Sequence, residues 1–117
     1  MLVVTILGVT LVGFYIMLTG RNNVDRPGWL AGLVSREESG PIANPPAKLL
    51  KCEYKGKTVY YLPPRCCDIP SILYDEKGDE ICAPDGGLTG RGDGKCSDFA
   101  QQRRNCSVIW EDHRKYK

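Results

Sequence analysis

The chain has 117 residues, with 16 Lys and Arg against 14 Asp and Glu, and a net charge of +2. Its charges are interspersed after Gly20, and the densest basic stretches, Arg103-Arg104 and His113-Arg114-Lys115, are short solvated stretches beside acids, which argues against nucleic acid as a partner. Two Phe and two Trp build only a modest core, so a domain of this size gains from covalent staples, and six cysteines are present.

Met1 to Thr19 reads MLVVTILGVTLVGFYIMLT, without a charged side chain. As a helix, about 18 residues at roughly 1.5 Å each reach about 27 Å, close to the hydrocarbon thickness of a bilayer. The β-branched residues would suit a strand in water, but lipid demands hydrogen bonding within the segment. Residues 1–20 are therefore read as a retained transmembrane anchor. The competing reading is a cleaved signal peptide on a secreted small disulfide protein; it lacks a basic residue before the apolar run, and Leu18 stands where a cut after Gly20 wants a small side chain. Arg21 and Arg26 would hold the following end in the cytoplasm by the positive-inside rule, whereas six thiols without a metal-type pattern point to an oxidising compartment. The cysteines take precedence, which puts the C-terminal domain outside.

Residues 21–47 carry four Pro and end in Asn44-Pro45-Pro46-Ala47, the composition of an extended tether. Within it, Trp29, Leu30, Leu33 and Val34 share one side of a short helix opened by Pro27 and closed by Ser39-Gly40. That face either sits at the membrane interface or docks on a neighbouring subunit, or else Trp29 packs on the chain's own domain.

From Lys48 the period changes to alternation. Leu50, Cys52, Tyr54 and then Val59, Tyr61 flank Lys55-Gly56-Lys57 as a β-hairpin, and 71–75 with 80–83 flank Glu76-Lys77-Gly78-Asp79 as a second. A fifth strand is expected over 107–111, and two turns of helix over 98–104 with Ser97 as N-cap. The predicted fold class is a single N-terminal transmembrane helix followed by a small disulfide-rich, β-dominated (α+β) extracytoplasmic domain over 48–117.

Cys52, Cys66, Cys67, Cys82, Cys96 and Cys106 imply three disulfides among fifteen connectivities. A bridge between neighbours strains the peptide between them, so Cys66 and Cys67 are expected to reach different partners, and Cys52 to Cys106 is preferred because it closes the domain's ends. Cys66-Cys67 and His113 lack the C-x-x-C or His-pair spacing of a metal site, and without C-x-x-C there is no haem attachment or usual thiol oxidoreductase motif. His113 is the single histidine, in a charged tail, and no nucleophile elbow occurs. Neither a catalytic residue nor a cofactor is expected.

Pro84 to Cys96, PDGGLTGRGDGKC, holds five glycines and two aspartates in thirteen residues. It reads as an Arg91-Gly92-Asp93 adhesion tripeptide, as a calcium loop using Asp85 and Asp93, or as a rigid glycine loop fixed by Cys82 and Cys96. The rigid loop is preferred, since the spacing does not fit an EF-hand. Gly94-Lys95-Cys96 lacks the hydroxyl of a phosphate loop, and Asn105-Cys106-Ser107 matches a glycosylation sequon formally only.

The run CCDIPSILYDEKGDEICAPDGGLTGRGDGKCSDF, Cys66 to Phe99, resembles an uncharacterised family of small bacterial exported or periplasmic proteins with a CCD, LYD, PDGG and GDGxC pattern. The resemblance implies a bacterial envelope setting and no activity; together with the anchor, which is this sequence's own feature, the expectation is a single-pass inner-membrane protein with its domain in the periplasm. The expected function is a non-catalytic accessory or structural subunit of a larger membrane protein complex, respiratory or photosynthetic for example, docking through Phe14, Trp29, Leu30 and Leu33. The alternative is an extracytoplasmic binding module dependent on calcium. The expected partners are the membrane and that complex, with no nucleic acid or small-molecule substrate.

Overall fold

A computed structural model describes residues 27–65 and 68–115. The expected anchor, Phe14, Cys66 and Cys67 lie outside the described residues.

Alternating apolar residues fold 48–62 into a hairpin of β1 (Lys48–Tyr54) and β2 (Lys57–Leu62), with Tyr54 opposite Lys57. Lys55 and Gly56 turn it with φ of 51° and 75°, the left-handed pair that matches the twist of a two-residue hairpin. A second hairpin pairs β3 (Ile72–Tyr74) with β4 (Glu80–Cys82). Its turn is closed by Asp75, whose Oδ1 accepts the backbone N–H of Lys77 and of Asp79 at 2.8 and 3.0 Å. The last strand, β5 (Arg104–Glu111), returns to pair antiparallel with β1, so the order is β4-β3-β2-β1-β5.

The expected helix over 98–104 shrinks to a single turn, α2 (Phe99–Gln102), and Ser97 does not cap it. The reason is tertiary. Arg104 pairs with Glu53, and a bulge with Asn105 at φ 52° carries Cys106 onto Cys52, drawing 104–106 out of the helix and into β5.

The helix expected after Pro27 is present as α1 (Gly28–Ser39). It packs on the sheet. Leu30 and Leu33 lie in a buried cluster with Leu49, Tyr60, Leu62 and Tyr74, flanked by Trp29, Ile72, Ile109 and Trp110. Alternation sends Cys52, Tyr54, Val59, Tyr61 and Leu73 to the opposite face, where Cys82, Cys96 and Phe99 cover them. The described residues thus form three layers: α1, the five-stranded sheet, and the glycine loop with α2. Each face of the sheet has its own small core.

Two disulfides staple this arrangement. Cys52 of β1 joins Cys106 of β5, the expected pairing, and Cys82 at the end of β4 joins Cys96 at the end of the glycine loop. The described part is a small β-dominated domain with two disulfides. Among the described residues no helix is long and apolar enough to cross a membrane.

The basic tail is more than a solvated stretch. Arg114 donates from Nη2 to the Glu37 carbonyl at 3.0 Å and from Nη1 to the Gly40 carbonyl at 2.9 Å, placing positive charge on the C-terminal carbonyls of α1. Asp112, buried, holds the guanidinium at 2.7 Å. Those hydrogen bonds from Arg114 hold the Asp112 carboxyl below its ordinary value of 3.8. A depressed carboxylate contributes stability that is present above its unfolded value and lost as pH falls, so Asp112→Asn is expected to lower the melting temperature at pH 7 and to flatten its decline as the pH falls below about 4. Parallel melting curves for the two proteins over that window would refute this.

Candidate functional site

The glycine loop between Cys82 and Cys96 is built onto the sheet through Asp85. Ser71, fully buried, donates its backbone N–H and its hydroxyl to the Asp85 carbonyl, both at 3.0 Å, and its Oγ accepts the Asp85 N–H at 3.0 Å. Tyr61 of β2 donates its phenol to the Asp85 carboxylate, 2.8 Å from Oδ1 and 2.9 Å from Oδ2. Burial, and then this carboxylate partner, push the Tyr61 phenol well above its ordinary value of 10.

Raised in the folded state, that phenol favours folding while neutral, and the benefit is lost as pH rises past about 10. Tyr61→Phe leaves Asp85 without this donor and is expected to cost about 2 kcal/mol at pH 7, the scale of a hydrogen bond to a charged group. It should also shallow the alkaline loss of stability. Denaturant unfolding at pH 7 and at high pH checks both; an unchanged midpoint at pH 7 would refute the Asp85 latch.

Beyond Asp85 the chain folds back on itself. Gly86 donates to Gly90 O at 3.2 Å, and Gly92 donates to Gly86 O at 3.0 Å. Asp93 N then bonds Ala83 O at 3.0 Å. Gly92 lies so close to the chain that an added Cβ would stand 1.9 Å from Ala83 O, so glycine is required there. At the loop's far end, Tyr54 donates to the Asp98 carboxylate, which also meets Lys55 Nζ at 3.6 Å. This fixes α2 to the tip of the first hairpin.

Beside the exposed polar residues Thr89, Arg91, Asp93 and Lys95, the loop and its neighbours expose three large apolar side chains. Leu88 is 88 % exposed, and Ile69 and Ile81 are each 45 % exposed. They line two adjoining clefts of about 420 and 330 Å³ that share Pro70, Ala83 and Asp93. Sequence reasoning passed over all three residues. The available sign was Leu88, a lone leucine between Gly86-Gly87 and Thr89-Gly90, where no core pattern requires one.

The residues singled out in the sequence are placed as follows. Asp85 has both carboxylate oxygens turned to Tyr61, and Asp93 Oδ1 accepts the Lys95 N–H at 3.0 Å. Among the described residues no group of three or more His, Cys, Asp or Glu is placed to hold a metal ion. His113 is exposed. Trp29, Leu30 and Leu33 face the chain's own sheet: the Trp29 ring lies 5.3 Å from both Tyr60 and Tyr74, and its Nε1 donates to Glu76 O at 2.8 Å. Of the readings weighed for Trp29, packing on its own domain is the one found.

A family model described as a domain of unknown function, DUF6970, matches residues 35–112. The chain belongs to the DUF6970 family. The DUF6970 match includes every strand, both described disulfides and the whole glycine loop, and it begins inside α1. Membership of an uncharacterised family agrees with the expected resemblance at that level. No curated protein and no solved structure matches the chain.

Proposed function

We propose that this DUF6970 protein is a non-catalytic accessory subunit of a larger membrane complex in a bacterial envelope, tethered by residues 1–20 with its stapled domain on the outer side. The observation that carries the reading is the exposed set of Ile69, Ile81 and Leu88: Leu88 on the loop and Ile81 on the edge strand that Cys82–Cys96 and Asp85 hold, and Ile69 on the segment leading into β3. Exposed apolar side chains on a preorganised surface suit protein docking, because little conformational freedom is lost on binding.

Trp29, near the start of α1, lies against the β3–β4 turn at Glu76 and Gly78, whereas Ile69 and the Pro70–Gly86 bridge stand at the other end of β3. The two disulfides support an oxidising compartment. Calcium dependence draws no support from Asp85 and Asp93, whose carboxylates are engaged within the domain.

Extraction of the native membrane in mild detergent tests the proposal. The chain should migrate with a larger assembly in fixed ratio, and Leu88→Asp with Ile69→Asp should release it while leaving the fold intact. Migration of the unaltered chain as a lone 13.0 kDa species would overturn it.

A further inference from the structure

The face of the sheet beneath α1 is an apolar trough. Leu49, Tyr60, Leu62 and Tyr74 form its floor, Ile72 and Trp110 its sides, and Trp29, Leu30 and Leu33 fill it at helical spacing i, i+1 and i+4. Three observations set α1 apart from the rest of the domain.

First, α1 has little helical tendency of its own. It is twelve residues long, contains Gly28 and Gly32, has no side-chain N-cap bond and no acid in its first turn. Such a segment is not a stable helix in water, so its folding and its docking are one event. Second, neither described disulfide holds it: one joins β1 to β5 and the other joins β4 to the glycine loop. The core on the opposite face, containing Cys52, Tyr61, Leu73 and Phe99, includes no residue of α1.

Third, the docked state carries a cost. Glu37 is buried, and its Oε2 meets Arg65 Nη1 at 2.7 Å as an ion pair without hydrogen-bond geometry. Burying a carboxylate on those terms sacrifices hydration that undocking restores. The remaining attachments are polar contacts at the rim: Trp29 to Glu76, Trp110 Nε1 to Glu38 Oε1 at 3.2 Å, and the Arg114 clamp. The segment joining α1 to β1, residues 40–47, contains three prolines and suits an extended connection. Trp29, Leu30 and Leu33 also precede the family match, which starts at Ser35.

We propose that this trough is a binding groove for an amphipathic helix, held in cis by α1 and taken in trans by a partner helix with an aromatic residue followed by leucines at i+1 and i+4. The cis helix defines the chemistry of the occupant, in the manner of helix-in-groove recognition. α1 then acts as a competitor that the partner displaces. The groove is separate from the Ile69, Ile81 and Leu88 cluster and does not depend on the reading of that cluster.

The test uses the full chain in detergent and a fluorescent synthetic peptide of residues 27–40 as probe. Leu30→Glu with Leu33→Glu empties the groove in cis, and that variant should bind the peptide at least about ten-fold more tightly than the unaltered chain, the peptide carrying Trp29→Ala and Leu33→Ala failing to bind. A variant that keeps its disulfides and its strand content yet does not bind the peptide overturns the proposal. Hydrogen exchange on the unaltered chain decides independently of the variant's folding: α1 amides should exchange at least about ten-fold faster than those of β2, through an opening that leaves the sheet protected. Exchange of α1 and β2 together in one opening event overturns it. Peptide capture and exchange are scored without any membrane complex, so their outcome is separable from co-purification.

Discussion

Replacing Cys52 and Cys106 together by alanine is expected to lower the unfolding free energy by roughly 4 kcal/mol, the loop-entropy value for a bridge spanning 54 residues. The same reasoning assigns roughly 3 kcal/mol to Cys82–Cys96, which spans 14. A domain of this size holds roughly 5 to 15 kcal/mol in all, so the first substitution removes a large fraction and the second a smaller one. Structure adds to the difference. β5 is an edge strand paired only with β1, through a register broken by two irregularities, and the bridge crosses the second of them. Cys52 is also among the most buried residues of the loop-side core, so its loss leaves space that neighbours fill incompletely. Urea unfolding followed by tryptophan fluorescence measures both variants. A Cys52–Cys106 deletion costing less than the Cys82–Cys96 deletion would contradict the ordering.

Gly92→Ala is expected to destabilise by about 3 kcal/mol or more, whereas Gly94→Ala, two residues away, should cost about 1 kcal/mol. Both glycines have positive φ, 65° and 78°, and so share the strain of placing a side chain there. They differ in room. A Cβ on Gly94 meets nothing within 4 Å, but one on Gly92 would fall 1.9 Å from Ala83 O and 2.8 Å from Asp85 N. Those are backbone atoms, with no rotamer to turn aside. Relief requires the loop to part from residues 83–86, breaking the Gly92-to-Gly86 and Asp93-to-Ala83 hydrogen bonds. Thermal melts of the two variants side by side provide the check. Equal losses would mean that dihedral strain alone decides both positions.

The sheet was legible because its cause is local. Alternation over 48–62 with Lys55-Gly56 between, and Gly78 in the second turn, specify two hairpins wherever they dock. Pro27 and Gly40 likewise mark the limits of α1 within a residue. What covers each face was not legible, since an apolar stripe such as Leu30 and Leu33 states that it is buried without stating against what. The same limit explains α2, where 98–104 has helical composition but the draw of Cys106 toward Cys52 ends the turn at Gln102. At the candidate site the glycine content announced a constrained loop. The partners that constrain it, Tyr61 and Ser71, lie on strands whose pattern gave no reason to connect them with Asp85.

The Arg114 clamp orders events in time. A chain emerging in sequence order presents Trp29, Leu30 and Leu33 early, but the guanidinium that closes the end of α1 on Gly40 O lies 74 residues beyond Gly40. Until that residue arrives the helix lacks its clamp, and the apolar face of the sheet is open to whatever is near. A nascent or truncated chain ending before Arg114 therefore differs from the finished one in what it exposes.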